Sequence, residues 1–420
     1  MPNRVISLVV KTQRGRLNFS KMSAQSGVGV RYIAVLYVIY HLTHSPLAIG
    51  ATLGIPSVTQ ILLAPVGGIA ADYIHRPRFI AMLYGLSGLT LGVLWFFLLS
   101  NASLPSSILP EVYALYGITA AADTLVGPAY ATWMTDWVAE GALVRWEGMV
   151  NALSQAAWLF GVLLTGFTIT DLGPEAWLLI SATLFMIAAF MMVYQFEPRR
   201  TESNRTVRTT WTLPAIRQMI DSLFLAGKHF GTHPFLWAFV LIIGLSNVPH
   251  NMLLSLPFFL SMHLRHGYSG FSVLEACVVV GSVLGNLWIA KRIAIHRIRD
   301  LLVLAFFTQS VICLILWMGS RSSFITVLIL LTLYGSTDAL FTPAYAHLSA
   351  AAPQRVRGQV LGLFNVIALL ATPIGTVGLG WLLTISSLAH IILGLMVAFG
   401  ALAFLSHRMA ALKYDIQYKD

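Results

Sequence analysis

Hydrophobic positions in this chain concentrate in runs of about twenty residues or more, separated by short polar gaps. The runs cover residues 19–43, 47–71, 79–99, 110–137, 148–170 and 175–196. After a longer polar stretch they resume at 234–262, 270–290, 300–319, 323–350, 358–384 and 387–406. A helix needs about 20 apolar residues to cross the hydrocarbon core of a bilayer, so each run predicts one span. In lipid the backbone must satisfy its hydrogen bonds within the segment, which leaves the helix as the form for runs of this length. The expected fold class is an all-α membrane protein with twelve transmembrane helices in two halves of six.

Composition strengthens this reading. Apolar residues make up 57% of the 420 and charged residues only 10%, with a mean hydropathy of +0.77. Soluble domains carry about 45–50% and about 25%, so there is too little charge here to cover a soluble surface. The two cysteines, Cys277 and Cys313, both lie inside apolar runs, which excludes a disulfide scaffold.

The net charge of +10 gains its meaning from where it sits. All of the 26 lysines and arginines except Arg31, Arg265 and Arg321 fall on one side of the predicted spans. Basic residues accumulate on the cytoplasmic side, so both termini and the central loop are expected there, in a multi-pass protein of the inner (plasma) membrane. The charge is thus a topological signal, and no nucleic-acid partner is expected.

Three segments follow: an N-terminal six-helix half (1–196), a central cytoplasmic loop (197–233) and a C-terminal half with its tail (234–420). Within the loop Ile216, Met219, Ile220, Leu223, Phe224 and Phe230 keep helical spacing, and Pro214 suits a first turn. An amphipathic helix on the inner leaflet is expected.

The two halves repeat. Asp123-Thr-Leu-Val-Gly-Pro128-Ala-Tyr130-Ala returns as Asp338-Ala-Leu-Phe-Thr-Pro343-Ala-Tyr345-Ala, 215 residues later. These are spans four and ten, running in the same direction, so the repeat is parallel, and its halves are related by an axis along the membrane normal. Two such halves suggest alternating access.

Between spans two and three, Gly68-Ile-Ala-Ala-Asp72-Tyr-Ile-His-Arg76-Pro-Arg78 resembles the G-x-x-x-D-x-x-x-R-[KR]-[KR] signature of the major facilitator superfamily. The stretch His41-Leu-Thr-His44-Ser-Pro46-Leu-Ala-Ile-Gly50, with Pro56 and Pro65, is similar to the branch that exports macrolides and enterobactin. The resemblance implies that spans one, four, seven and ten line a central cavity. It also implies that Gly68, Asp72, Arg76 and Arg78 form the conformational motif that stabilises one state. The chain departs from the family at position 77, a proline where a basic residue is common, and at Gly161, which Val162 follows.

Ionisable residues within spans are costly and mark function. Arg31, Asp123 and Asp338 fall near mid-membrane, and their sum of −1 suits a cationic or zwitterionic substrate. Arg31 pairs most simply with Asp123 in its own half, leaving Asp338 to load and release a proton; the alternative has both acids bonded to backbone groups freed near Pro128 and Pro343. Glu275 follows Ser272 at capping-box spacing and is expected to cap span eight. The proline-broken segment Asn247-Val-Pro249-His250-Asn251 in span seven offers cavity contacts through Asn247, His250 and Asn251, as do Tyr130 and Tyr345. His41/His44 and His263/His266 have metal-compatible spacing but no accompanying carboxylate or thiol, so no metal is expected. No G-x-x-x-x-G-K-[ST] loop occurs, which argues against ATP-driven transport, and no cofactor or enzymatic site is expected.

The function these features imply is secondary active transport, by proton-coupled efflux of a small amphipathic organic compound. The partners are then the substrate, protons and the bilayer, and a monomer suffices. An importer or lipid-handling permease, and a non-transporting receptor or assembly factor, are the alternatives.

Overall fold

The computed structural model describes residues 2–73, 75–100, 106–137, 140–194, 234–291, 298–318, 323–345, 357–409 and 412. Among them every element is helical. The N-terminal half contributes α1 (Pro2–Thr43), α2 (Pro46–Tyr73), α3 (Arg76–Ser100) and α4 (Leu109–Trp137). The helical run Glu140–Val193 then breaks at Gly173, whose φ of 78° is outside any right-handed helix, directly before Pro174. It therefore supplies two helices, α5 (140–172) and α6 (174–193), with the break inside the gap that hydropathy leaves at 171–174. The C-terminal half contributes α7 (Pro234–His263), α8 (Gly267–Lys291), α9 (Ile298–Met318), α10 (Phe324–Thr337), α11 (Arg357–Ile385) and α12 (Leu388–Arg408). Ten stretches of the described residues are long and apolar enough to cross a membrane. The expected interfacial helix at 197–233 lies outside the described residues.

Local chemistry explains the ends. His44 takes a left-handed φ of 47° after α1 and its N–H bonds the Tyr40 carbonyl. Arg265 does the same after α7 with φ 60°; its N–H bonds Met262 while that of His266 bonds Ser261, which is the Schellman pattern. The two histidine pairs therefore sit in helix C-terminal caps. His41 Nδ1 is 2.9 Å from the Tyr37 carbonyl, and His266 stacks on Phe324 at 4.0 Å. The expected capping box at Ser272–Glu275 is not formed. α8 starts at Gly267, and the Ser272 hydroxyl, a turn inside it, donates to the Tyr268 carbonyl.

The chain divides into two compact units, Met1–Thr206 and Val207–Asp420. In the first, α1 packs against α5 and α6, α2 against α4, and α3 against α6. In the second the same pairs recur six helices on: α7 with α11, α8 with α10, α9 with α12. The internal repeat is thus a repeat of packing as well as of sequence.

Small residues make these contacts close, as they must where lipid provides no hydrophobic drive between helices. A Cβ on Gly29 would meet the Trp158 carbonyl, and one on Gly161 the Ser26 carbonyl, so α1 and α5 touch backbone to backbone. Gly281, Gly285 and Gly335 bring α8 and α10 together in the same way. A seam of serines fastens α1: Ser20 donates to Ala188 (2.8 Å), Ser23 to Leu184 (2.9 Å) and Ser26 to Ala157 (3.1 Å), while Ser181 donates back to Gly27 (2.7 Å). Bonds of this kind contribute about 0.6–2 kcal/mol each.

Candidate functional site

Each unit carries one copy of the repeated Asp-x-x-x-x-Pro-Ala-Tyr segment, and the acids of the two copies, Asp123 and Asp338, have different surroundings. In the first unit the seam and the Gly29–Gly161 contact fix α1, and so fix Arg31. Arg31 Nη2 lies 2.6 Å from Asp123 Oδ2. The arginine side chain is only 4% exposed and the aspartate 28%. The guanidinium also faces two rings, Tyr116 at 5.4 Å and Phe185 at 5.6 Å. Its Nε and Nη1 are buried without a hydrogen-bond partner. Tyr116, Asp123 and Tyr130 recur every seven residues, hence on one face of α4. Tyr130 is buried, and Lys21 Nζ lies 4.2 Å from its ring centre.

In the second unit α10 changes winding at the acid. Its regular turns end at Thr337, and Asp338–Phe341 form a 3-10 turn. Pro343 lacks the N–H that would bond the Ala339 carbonyl, and the Thr342 N–H takes that carbonyl instead. Asp338 lines a cavity of about 160 Å³ with Ile243, Ser246, Asn247, His250, Phe341 and Tyr345. Among the described residues its carboxylate has neither an ion-pair partner within 4.0 Å nor a hydrogen bond. No lysine or arginine occurs in α7 or α10, so neither of these helices carries a counterpart of Arg31.

His250 is held by Tyr334, whose hydroxyl lies 2.7 Å from His250 Nδ1 and 3.3 Å from the His250 carbonyl oxygen. Asn247 donates to its own helix at the Ile243 carbonyl (2.9 Å). Asn251 is not brought to this cavity: its amide donates to the Asn247 carbonyl (2.7 Å) and its Cβ packs where Gly375 leaves room. Tyr345 reaches the cavity with its ring edge-on to Phe239 and Phe364. On the opposite face of α7, Val248, Pro249 and Met252 line a separate apolar cavity of about 360 Å³ with residues of α11 and α12.

Of the conformational motif, Gly68 and Asp72 fall in the last turns of α2, and Arg76 and Arg78 open α3. Arg76 is buried and Arg78 exposed. The sequence reading missed Tyr116, Phe185 and Tyr334. The sevenfold spacing of Tyr116 from Asp123 was the available signal for the first, and the four-residue step from Tyr334 to Asp338 for the last.

The profile described as Major Facilitator Superfamily matches residues 19–376. The chain belongs to the major facilitator superfamily. No curated protein matches it. Among solved structures, a variant of the nucleoside transporter NupG is similar with a TM-score of 0.78 and 12% identity, covering 95% of this chain and 100% of that one. An inward-facing bacterial homologue of the human lysosomal transporter Spinster gives 0.67 and 13%, covering 98% and 99%. A D-xylose-proton symporter gives 0.65 and 14%, covering 94% and 97%. At these identities the likeness is one of fold. Major facilitator membership makes this a multi-pass membrane transporter working by alternating access, with a small-molecule substrate.

Proposed function

We propose that the chain is a proton-coupled exporter of an amphipathic organic compound, in which Asp338 carries the proton. The observation that carries the reading is the inequality of the two repeat-related acids. Asp123 is committed to Arg31 at 2.6 Å, whereas Asp338 lines a cavity and, among the described residues, has no lysine or arginine within 4.0 Å. An unpaired acid within a span is expensive and is retained for function. A cationic group on the substrate and a proton compete for the same carboxylate, which is the requirement for exchange. The lining mixes Ile243, Phe341 and the Tyr345 ring with Ser246, Asn247 and His250, a combination suited to a molecule with apolar and polar faces.

In this reading residues 1–196 and 234–420 are the two moving halves, and 197–233 tethers them on the cytoplasmic side. The Asp72–Arg76 turn stabilises one state. The protein acts as a monomer in the inner membrane, with both termini cytoplasmic.

Everted vesicles with an imposed proton gradient test the reading. A pH-sensitive dye follows the gradient while tetraphenylphosphonium, a macrolide or a catecholate siderophore is added. Wild type is expected to collapse the gradient with at least one compound, and Asp338→Asn with none. An Asp338→Asn protein that dissipates the gradient at the wild-type rate removes Asp338 from the mechanism. A folded wild type that responds to no compound, yet accumulates one in uptake assays, reverses the direction.

A further inference from the structure

Resting on the proton-coupled reading above, we propose that His250 is a second proton site, exchanging its proton with Asp338, and that Tyr334 is the positioning residue that lets it do so. The geometry is specific. Tyr334 contacts both the ring nitrogen of His250 (2.7 Å) and the backbone carbonyl of the same residue (3.3 Å). A hydroxyl has one proton to give and lone pairs to accept with, so two arrangements fit these distances.

In the first, Tyr334 donates to Nδ1 and the neutral ring carries its proton on Nε2. In the second, Nδ1–H donates to Tyr334, whose own proton goes to the His250 carbonyl, and Nε2 keeps a free lone pair. Adding a proton to Nε2 in the second arrangement changes nothing on the Tyr334 side of the ring. Tyr334 is then already the acceptor that a buried imidazolium needs. A phenylalanine at 334 would leave Nδ1–H unsatisfied away from water, which is costly for a charged ring.

With Nδ1 engaged, Nε2 is the position of His250 left for the cavity it lines. Asp338 lines the same cavity. The transfer balances simply. The Asp338 carboxyl O–H breaks, the His250 Nε2–H forms, and a neutral acid and base become a carboxylate–imidazolium pair with no change in net charge. The step runs directly or through one water. A substrate cation reaching Asp338 then displaces the imidazolium from the carboxylate, and the proton leaves from His250 rather than from the acid itself.

Other titratable groups lie on the elements packed around this site. Tyr345 lines the cavity from the helical turn after Phe341, and Cys313 of α9 lies buried beside Tyr334. Glu275 is on α8 and His390 on α12, the latter lining the apolar cavity across α7. The lysine and arginines of α8, α9, α11 and α12 lie only at or near helix ends, at Lys291, Arg299, Arg357 and Arg408.

The first readout needs no substrate. Protein labelled with nitrogen-15 histidine, in lipid nanodiscs, is followed by NMR across a pH series, with the His250 signals assigned by their loss in His250→Gln. In wild type Nδ1 is expected to stay hydrogen-bonded throughout while Nε2 changes with pH. Tyr334→Phe should abolish the Nδ1 hydrogen-bond signature, and Asp338→Asn should alter the pH response of Nε2 while sparing that signature. Transport of tetraphenylphosphonium is the second readout. With a proton gradient, His250→Gln and Tyr334→Phe are expected to lose about tenfold in rate, the scale of one hydrogen bond to a charged group. Exchange of the same cation without a gradient should be spared. His250 signals indifferent to pH and to Asp338→Asn overturn the proposal, even where gradient-driven transport by wild type is intact. Absent gradient-driven transport with a His250 that still answers to Asp338 sinks the exporter reading instead.

Discussion

Separating Arg31 from Asp123 should destabilise the first unit unequally, depending on which partner is removed. Asp123→Asn leaves a guanidinium that is 4% exposed, cannot lose its proton and already has Nε and Nη1 unpartnered. Breaking a buried pair costs about 3–5 kcal/mol. Attraction to the Tyr116 and Phe185 rings survives the change and offsets about 0.5–2 kcal/mol of that, so the expected loss is about 2–3 kcal/mol. Arg31→Met instead leaves a carboxylate that is 28% exposed. It can be hydrated from its open side or take up a proton, and the expected loss is about 1–2 kcal/mol. With both partners removed no uncompensated charge remains, and the loss should fall to about 1 kcal/mol. Equilibrium unfolding in mixed micelles, run as a double-mutant cycle, then gives a coupling of about 2–4 kcal/mol. Single variants that each lose under about 0.5 kcal/mol, with additive effects, would refute a tight ion pair at this place.

Two further outcomes concern packing. Gly161→Ala places a methyl against the Ser26 carbonyl, so α1 must move off α5; a loss of about 1–3 kcal/mol is expected, and a variant as stable as wild type in the same unfolding assay contradicts that contact. Thr337→Val removes the oxygen to which Gln309 Nε2 donates at 2.9 Å; Gln309 is fully buried and its Oε1 already has no partner, so about 1–3 kcal/mol should be lost, while Gln309→Leu on that background should recover part of it.

Hydropathy alone carried the class of fold. A run of about twenty apolar residues is a local property that a bilayer reads by length, and the duplicated Asp-x-x-x-x-Pro-Ala-Tyr segment exposes the parallel repeat without any knowledge of packing. The same locality marked Arg31, Asp123 and Asp338, because a charge within an apolar run needs no tertiary context to stand out. It failed where a local pattern had two readings. Ser272–Glu275 matches a capping box, yet α8 had already begun at Gly267.

What the sequence determined by itself is the number and length of the apolar runs, their grouping into two related halves and the presence of acids at equivalent depths. Which acid is neutralised was decided only by the tertiary structure. Arg31 and Asp123 are 92 residues apart, and His250 and Tyr334 are 84, and nothing in a linear pattern fixes which helix faces will meet. The Gly29–Gly161 approach and the serine seam on α1 set one such meeting. The 3-10 turn ahead of Pro343 sets the place of the acid in the other. Helix formation in lipid follows from each segment's own backbone, whereas pairing depends on close packing between segments.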